Sequence, residues 1–184
     1  MLSDRLIRHG IHTSQLDIWP WRDEQLQGAS YDVTLHPQLL ALRSSKTPID
    51  TKTDMAAEWF TISMRSEGYL LTHGQFVLGS TLERIQLSAK LVGQLEGKSS
   101  LGRLGLLVHS TAGYLDPGFG GQVTLELSCV HQRGIMLYPG MPIGQVAFSY
   151  VPGGVDSPYA GKYMEQEGPT ASKYHQNWDG QRWR

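Results

Sequence analysis

Three stretches of this 184-residue chain place reactive side chains at spacings that can support chemistry. In the first, QVTLELS at 122–128, apolar and polar residues alternate. Strand period two puts Val123, Leu125 and Leu127 on one face, and Gln122, Thr124, Glu126 and Ser128 on the other. Glu126 has leucines on both sides and sits on a strand that is expected to be central. Partial desolvation there raises a carboxyl pKa toward a value useful for proton transfer. The plainer alternative is a Glu on the wet face of an edge strand. The second stretch is GKSSLGRLG at 97–105. Ser99 and Ser100 at a helix start would gather N–H groups, hydroxyls and the helix dipole at one point, which suits an anion. Lys98 and Arg103 add positive charge, and an Arg grips phosphate with a fork of donors. An ordinary N-cap with solvated basic residues is the alternative, and the G-x-x-x-x-G-K-[ST] phosphate-loop spacing is missing. The third stretch, STAGYLDPGFGG at 110–121, carries the tight-turn signal Asp116-Pro117-Gly118. Asp116 either accepts a sugar hydroxyl, serves as a base for water, or only caps the turn.

Other chemistries are disfavoured. The single cysteine, Cys129, rules out the thiolate-rich H-x-E…P-C-x-x-C site of zinc nucleobase deaminases and any internal disulfide. The seven histidines form no H-E-x-x-H pair, and no G-x-S-x-G nucleophile elbow occurs. Any deamination must therefore activate water without a transition metal. A formal net charge of -1 provides no basic field for nucleic acid. The N-terminal MLSDRLIRHG lacks a signal-peptide core, and no run of about 18 apolar residues suggests a membrane span. The cytoplasm is the expected compartment.

These residues need a scaffold. Twenty-one glycines and many short apolar runs favour a turn-rich β fold. Ser3 is expected to cap a short helix that Gly10 ends, and residues 14–30 read as loop. Strands are expected at YDVTL (31–35), Leu39–Leu42, WFTISM, GYLLT, QFVLGST, RIQLSA, Leu91–Leu95, QVTLELSCV, IMLYPGM and IGQVAFSYV. Residues 43–58 form a polar excursion. SSLGRLGLL is the strongest internal helix, capped by Ser99 or Ser100 and ended by Gly105. Residues 152–184 lack periodicity and read as an arm that orders on demand. One domain, 1–184, with a barrel or jelly-roll-like arrangement is expected.

Together the segments resemble the dCTP deaminase family of the trimeric dUTPase-like superfamily. GKSSLGRLGLLVHSTAGYLDPGFGGQVTLELS is similar to that family's signature region. LSDRLI, SYDVTL, THGQFVLGSTLE, YPGMPIGQVAF and KYMEQEGPTASKYHQNW resemble family segments in the expected order. The resemblance implies a mainly β, distorted jelly-roll barrel, assembled as a homotrimer with sites between subunits and an arm closing over the nucleotide. It makes Glu126 the carboxylate that takes a proton from water attacking C4 of cytosine. It has Ser99 place that water and Arg103 hold Glu126 or phosphate. It assigns Lys98, Ser99, Ser100, Leu101, Gly102 and Arg103 to the triphosphate, Asp116 to the deoxyribose 3'-hydroxyl, and Thr124 with neighbouring Leu125 to the base. Gln145, Tyr159, Lys162 and Gln166 match nucleotide-contacting positions. Mg2+ would arrive with the triphosphate, held mainly by it, and no zinc is implied.

After the shared Thr111-Ala112, the sequence Gly113-Tyr114 resembles the bifunctional, dUMP-forming subgroup; dUTP-forming relatives tend to carry basic side chains there. Gly113 would allow close backbone approach or reposition a second water, and Tyr114 would pack. EGPTASKYHQNW points the same way. Two departures stand out: the Tyr159–Lys162 stretch is shorter than in bifunctional relatives, and Cys129 stands where they often have Asn. A dUTP-forming deaminase, a plain dUTPase and a non-catalytic nucleotide-binding regulator are the competing readings; the last would typically lose Glu126.

Overall fold

The computed structural model describes residues 1–110 and 112–184. Helix α1 (Asp4–His12) leads into twelve strands. These are β1 (Leu16–Trp19), β2 (Tyr31–Thr34), β3 (Gln38–Leu42), β4 (Trp59–Ser63), β5 (Tyr69–Leu71), β6 (Phe76–Leu87), β7 (Leu91–Gly97), β8 (Leu106–Leu107), β9 (Tyr114–Leu115), β10 (Gly120–Cys129), β11 (Ile135–Leu137) and β12 (Pro142–Tyr150). A one-turn helix α2 (Ser99–Gly102) interrupts the run between β7 and β8, and short 3-10 turns stand at 23–25, 56–58 and 174–177.

The strands are antiparallel and fall into three sheets. One has the order β4-β3-β6-β10-β8, with β1 on β6; the second is β2-β12-β7-β9; the third is the pair β11-β5. The chain switches sheets at Leu35 and His36. Leu35 N–H bonds the Met141 carbonyl (2.9 Å), and His36 N–H bonds the Ser80 carbonyl (2.9 Å). Buried side chains of both larger sheets form one core, including Tyr31, Val33, Ile85, Leu91, Leu95, Leu125, Leu127, Val146 and Phe148. The fold is mainly β in the jelly-roll-like manner expected, with the sheets joined by such switches rather than by one continuous ring of strand pairing among the described residues.

Several boundaries differ from the sequence reading. Helix α1 runs through Gly10 to His12, and Ser3 makes no side-chain cap. Gly10 is a packing residue instead: an added Cβ would sit 3.3 Å from Leu16 Cβ. Leu16–Trp19, expected as loop, pairs with β6 and buries Leu16 and Ile18. QFVLGST and RIQLSA are one long strand, β6, with an irregularity where Thr81, Leu82 and Glu83 lie opposite Val123. The buried Glu83 carboxylate holds that irregularity, accepting from Gln25 Nε2 (2.7 Å), Thr34 N–H (2.8 Å) and Thr34 Oγ1 (2.8 Å). The expected SSLGRLGLL helix is a single turn. Its N-cap is Lys98, with no side-chain cap from either serine, and its Leu-Leu end is β8. Gly105 (φ +90) closes the turn that follows, packed on His131.

Candidate active site

A cleft of about 460 Å³ opens between the polar face of β10, the 112–119 segment and the C-terminal arm. Tyr114, Asp116, Thr124, Glu126, Tyr159 and Gln166 line it together with Phe76, Phe119, Tyr163, Thr170 and Ser172. Strand β10 alternates as its sequence dictates. Val123, Leu125, Leu127 and Cys129 are buried, while Gln122, Thr124, Glu126 and Ser128 are half-buried on the opposite face. Burying Leu125 and Leu127 each contributes about 1.5–3 kcal/mol, which fixes the face that Glu126 must present. β10 pairs with β6 along most of its length and with β8 only at Ser128 and Cys129, so at Glu126 the expected central strand has a ladder partner on the β6 side alone among the described residues. One of the Glu126 oxygens, Oε2, accepts the Ser110 N–H at 2.9 Å. That bond orients the carboxylate and leaves Oε1 available to the cleft.

Asp116 opens the tight turn expected of Asp-Pro-Gly. Phe119 N–H bonds the Asp116 carbonyl (3.0 Å), and Gly118 occupies the positive-φ position at +90. The Asp116 side chain stays exposed at the cleft. Gly113 lies hard against β7. Its carbonyl accepts the Leu95 N–H at 2.6 Å, and a Cβ placed there would come within 2.7 Å of the Leu95 carbonyl oxygen. Only glycine fits that approach. Tyr114 was expected to pack; it is 66% exposed and forms part of the cleft rim. Thr111 lies outside the described residues.

The arm is docked along β10. Glu165 N–H bonds the Gly120 carbonyl (2.7 Å), Gln122 N–H bonds the Gln166 carbonyl (2.9 Å), and Gly121 and Gln166 form a parallel bridge. Gln166 Nε2 donates to the Gln122 carbonyl (2.7 Å), and Glu165 pairs with Arg84. Tyr159 enters through the Asp-Pro-Gly turn: its N–H bonds the Pro117 carbonyl (2.8 Å) and its ring packs tilted against Phe119, with centroids 6.0 Å apart.

The remaining candidates lie elsewhere on this chain. Ser99, Ser100, Gly102 and Arg103 are exposed on α2 and the turn after it, outside the cleft. One helical turn has little dipole to offer an anion, so the expected helix-start site is reduced to its side chains. Lys98 is half-buried and paired with Asp32 (2.6 Å). Gln145, register partner of Asp32 and Glu96, accepts the Ser30 hydroxyl at 2.8 Å. The Leu125 side chain is fully buried, so only its backbone is offered to a ligand. Lys162 is held within the arm, with Nζ donating to Asn177 Oδ1 (2.5 Å). Cys129 is a buried free thiol whose Sγ bonds the His131 carbonyl (3.3 Å).

Sequence reasoning missed Ser110, Tyr163, Thr170 and Ser172. Ser110 acts through its backbone, and the others belong to a segment without periodicity, so no local signal marks them. Among the described residues, no group of three or more His, Cys, Asp or Glu is placed to enclose a metal ion. Lys98, at the start of the triphosphate-matching stretch, pairs with Asp32, whose Oδ1 is buried without a hydrogen-bond partner among the described residues.

The family model described as dCTP deaminase-like matches residues 1–151. A protein of Corynebacterium glutamicum named "dCTP deaminase, dUMP-forming" is 46% identical over 96% of this chain and 97% of its own length. Proteins of the same name from Corynebacterium jeikeium (46%, 96% and 98%) and Rhodococcus opacus (44%, 96% and 97%) are similar. In fold, the chain is similar to the crystal structure of 2'-deoxycytidine 5'-triphosphate deaminase from Agrobacterium tumefaciens. The TM-score is 0.63 at 24% identity, covering 80% of this chain and 45% of that one. With a family model matched over most of its length and full-length relatives at this identity, the chain belongs to the dCTP deaminase-like family.

Proposed function

We infer that this protein deaminates dCTP and also cleaves its triphosphate, giving dUMP, pyrophosphate and ammonia. The observation that carries the reading is the 46% identity, over nearly the full length, to proteins named dCTP deaminase, dUMP-forming. The cleft that gathers Asp116, Thr124 and Glu126 under the arm supports it.

In this reading, Glu126 is the catalytic carboxylate. One oxygen is fixed by Ser110 N–H, and the other takes a proton from the water that attacks C4. The same carboxylate returns protons to the amino group, which leaves as ammonia and gives the uracil carbonyl. Thr124, two residues before Glu126 on the same face, places the base. Asp116 accepts the 3'-hydroxyl and serves the second hydrolysis. Gly113, by its close approach to β7, sets where Tyr114 and Asp116 stand. Ser99 and Arg103 are assigned to water placement and to holding Glu126 or phosphate, and Lys98 with Ser100, Leu101 and Gly102 to the triphosphate. Gln145, Tyr159, Lys162 and Gln166 are assigned to nucleotide contact.

The separation of α2 from the cleft within one chain is what a site completed between subunits requires, and it supports a homotrimer. Mg2+ arriving with the substrate would neutralise triphosphate charge and would be held mainly by the triphosphate itself; Asp32, half-buried and paired with Lys98, is not placed to ligate it. Residues 1–184 are proposed as one catalytic unit with 152–184 as its arm, and action on free nucleotides in the cytoplasm is part of the same reading. No helix is long and apolar enough to cross a membrane.

Anion-exchange chromatography after incubation with dCTP and Mg2+ tests the proposal. A dUMP peak with little dUTP is expected. A dUTP peak alone removes the second activity, and intact dCTP beside cleaved dUTP removes Glu126 from its role.

A further inference from the structure

Gln122 precedes Thr124 and Glu126 on the polar face of β10, and its four hydrogen bonds join two otherwise separate features. Its side-chain Nε2 donates to the Leu82 carbonyl (2.8 Å). Leu82 lies in the irregular stretch of β6, where three residues oppose Val123 and the ladder is broken. Its Oε1 accepts the Gly168 N–H (2.5 Å). Its backbone N–H bonds the Gln166 carbonyl (2.9 Å), and its backbone carbonyl accepts Gln166 Nε2 (2.7 Å). One carboxamide thus satisfies a carbonyl stranded by the bulge and grips the arm.

The grip has a register. Gln166 and Gly168 meet Gln122, and Thr170 N–H approaches Thr124 Oγ1 at 3.4 Å. Continuing by twos brings Ser172 to the cleft that holds Glu126, and Gln166, Thr170 and Ser172 all line it. Gly168 (φ +62) bends the segment, so these contacts rather than a strand ladder set which residues face β10, and a slip of one residue would carry these three out of the cleft. N-terminal to this point the arm is also held at Glu165, by its N–H on the Gly120 carbonyl and by its pairing with Arg84; at Gly168 the side chain that holds it is Gln122. We propose that Gln122 is a positioning residue that pins the register of the C-terminal arm, so that Gln166, Thr170 and Ser172 face the bound nucleotide. It rests on the nucleotide reading of the cleft given above.

The test compares wild type, Gln122→Leu and Gln122→Glu. Leucine keeps the bulk and removes both side-chain bonds. Glutamate keeps the acceptor for Gly168 N–H and loses the donor to Leu82. Steady-state kinetics on dCTP are paired with limited trypsin digestion, with cleavage after Lys162 and Lys173 followed by mass. For Gln122→Leu, kcat/KM is expected to fall about tenfold or more and the two cleavages to accelerate by a similar factor. Cleavage elsewhere should stay unchanged. Gln122→Glu, which keeps the Gly168 bond but sets a carboxylate oxygen against the Leu82 carbonyl, should lie between wild type and Gln122→Leu in both readouts, and it keeps the question answerable if the leucine variant does not fold. Wild-type kinetics, or lost kcat/KM with an arm as protected as in wild type, overturns the proposal. So does a freed arm with unchanged kinetics. If the wild-type chain leaves dCTP untouched, the nucleotide reading fails instead, while the digestion pattern still reports whether Gln122 holds the arm.

Discussion

Gly113→Ala puts the close approach at β7 under direct test. The added Cβ would stand 2.7 Å from the Leu95 carbonyl oxygen and 3.3 Å from His109 Cε1. Carbon and oxygen rest at about 3.3 Å or more, so the backbone must open by about 0.6 Å. β7 is held along its length by β12, whereas on its other side it meets only the two-residue β9, so the 113–115 segment yields. Overpacking of this kind costs about 1–3 kcal/mol. At this chain length each kcal/mol lowers Tm by about 2–4 °C, giving a fall of about 2–12 °C. The displaced segment carries Tyr114 and leads to Asp116, and a shift of about 1 Å at a reacting group costs up to about 100-fold. Thermal unfolding at fixed protein concentration is therefore paired with product analysis on dCTP and Mg2+. Tm should fall, and the ratio of dUMP to dUTP should fall while dCTP is still consumed. An unchanged Tm with an unchanged product ratio refutes the steric argument. A uniform loss of both products refutes the assignment of this segment to the second hydrolysis.

Glu126→Gln should retain nucleotide binding and lose deamination by about 10²–10⁴-fold, since only the proton-transfer group is removed; unchanged turnover of dCTP would sink the mechanism. Asp116→Asn should slow both hydrolyses, and pyrophosphate release at the full rate would remove Asp116 from its role. Burial pushes the Tyr31 hydroxyl up to about 12. The folded state therefore keeps its proton where the unfolded chain, near 10, has lost it. The stabilisation is fully present below pH 10 and is lost as pH rises from 10 to 12, by on the order of 2–3 kcal/mol. Denaturant titrations of wild type and Tyr31→Phe across that window should show a steeper loss for wild type; parallel slopes would refute the attribution.

Much of strand β10 was legible because its signal is local. Alternation over 122–128 fixes which side chains share a face, and the core burial of Val123, Leu125 and Leu127 enforces it. Asp-Pro-Gly likewise specifies its own turn. The arm was not legible. Glu165 and Gln166 bond the β10 backbone and Gly168 (φ +62) bends the segment after them, a tertiary contact that leaves no periodicity in the sequence. The serine motif misled in a similar way. Ser99 and Ser100 have helix-capping chemistry, yet Lys98 is the N-cap and the helix stops after one turn, as residues 106–107 are claimed by pairing with β10. Leu16–Trp19 was missed because its partner, β6, lies far along the chain and only two of its residues are buried. Tyr114 was misplaced because an aromatic usually packs, and here the cleft rim takes it.

The docked arm has a consequence for how chains meet one another. On the side away from β6, β10 is paired with β8 only at Ser128 and Cys129, so the backbone at 120–122 finds its partners in residues 165 and 166. An unpaired edge is a template for any extended segment, and the segment tethered closest is the chain's own. A flexible tether of this length supplies its end at about millimolar effective concentration. Reclosure in cis therefore outcompetes a neighbouring molecule in dilute solution and does not depend on how much protein is present. In concentrated stocks that advantage shrinks, and exchange of arms between molecules competes with reclosure in cis, separately from the subunit contacts of the proposed homotrimer.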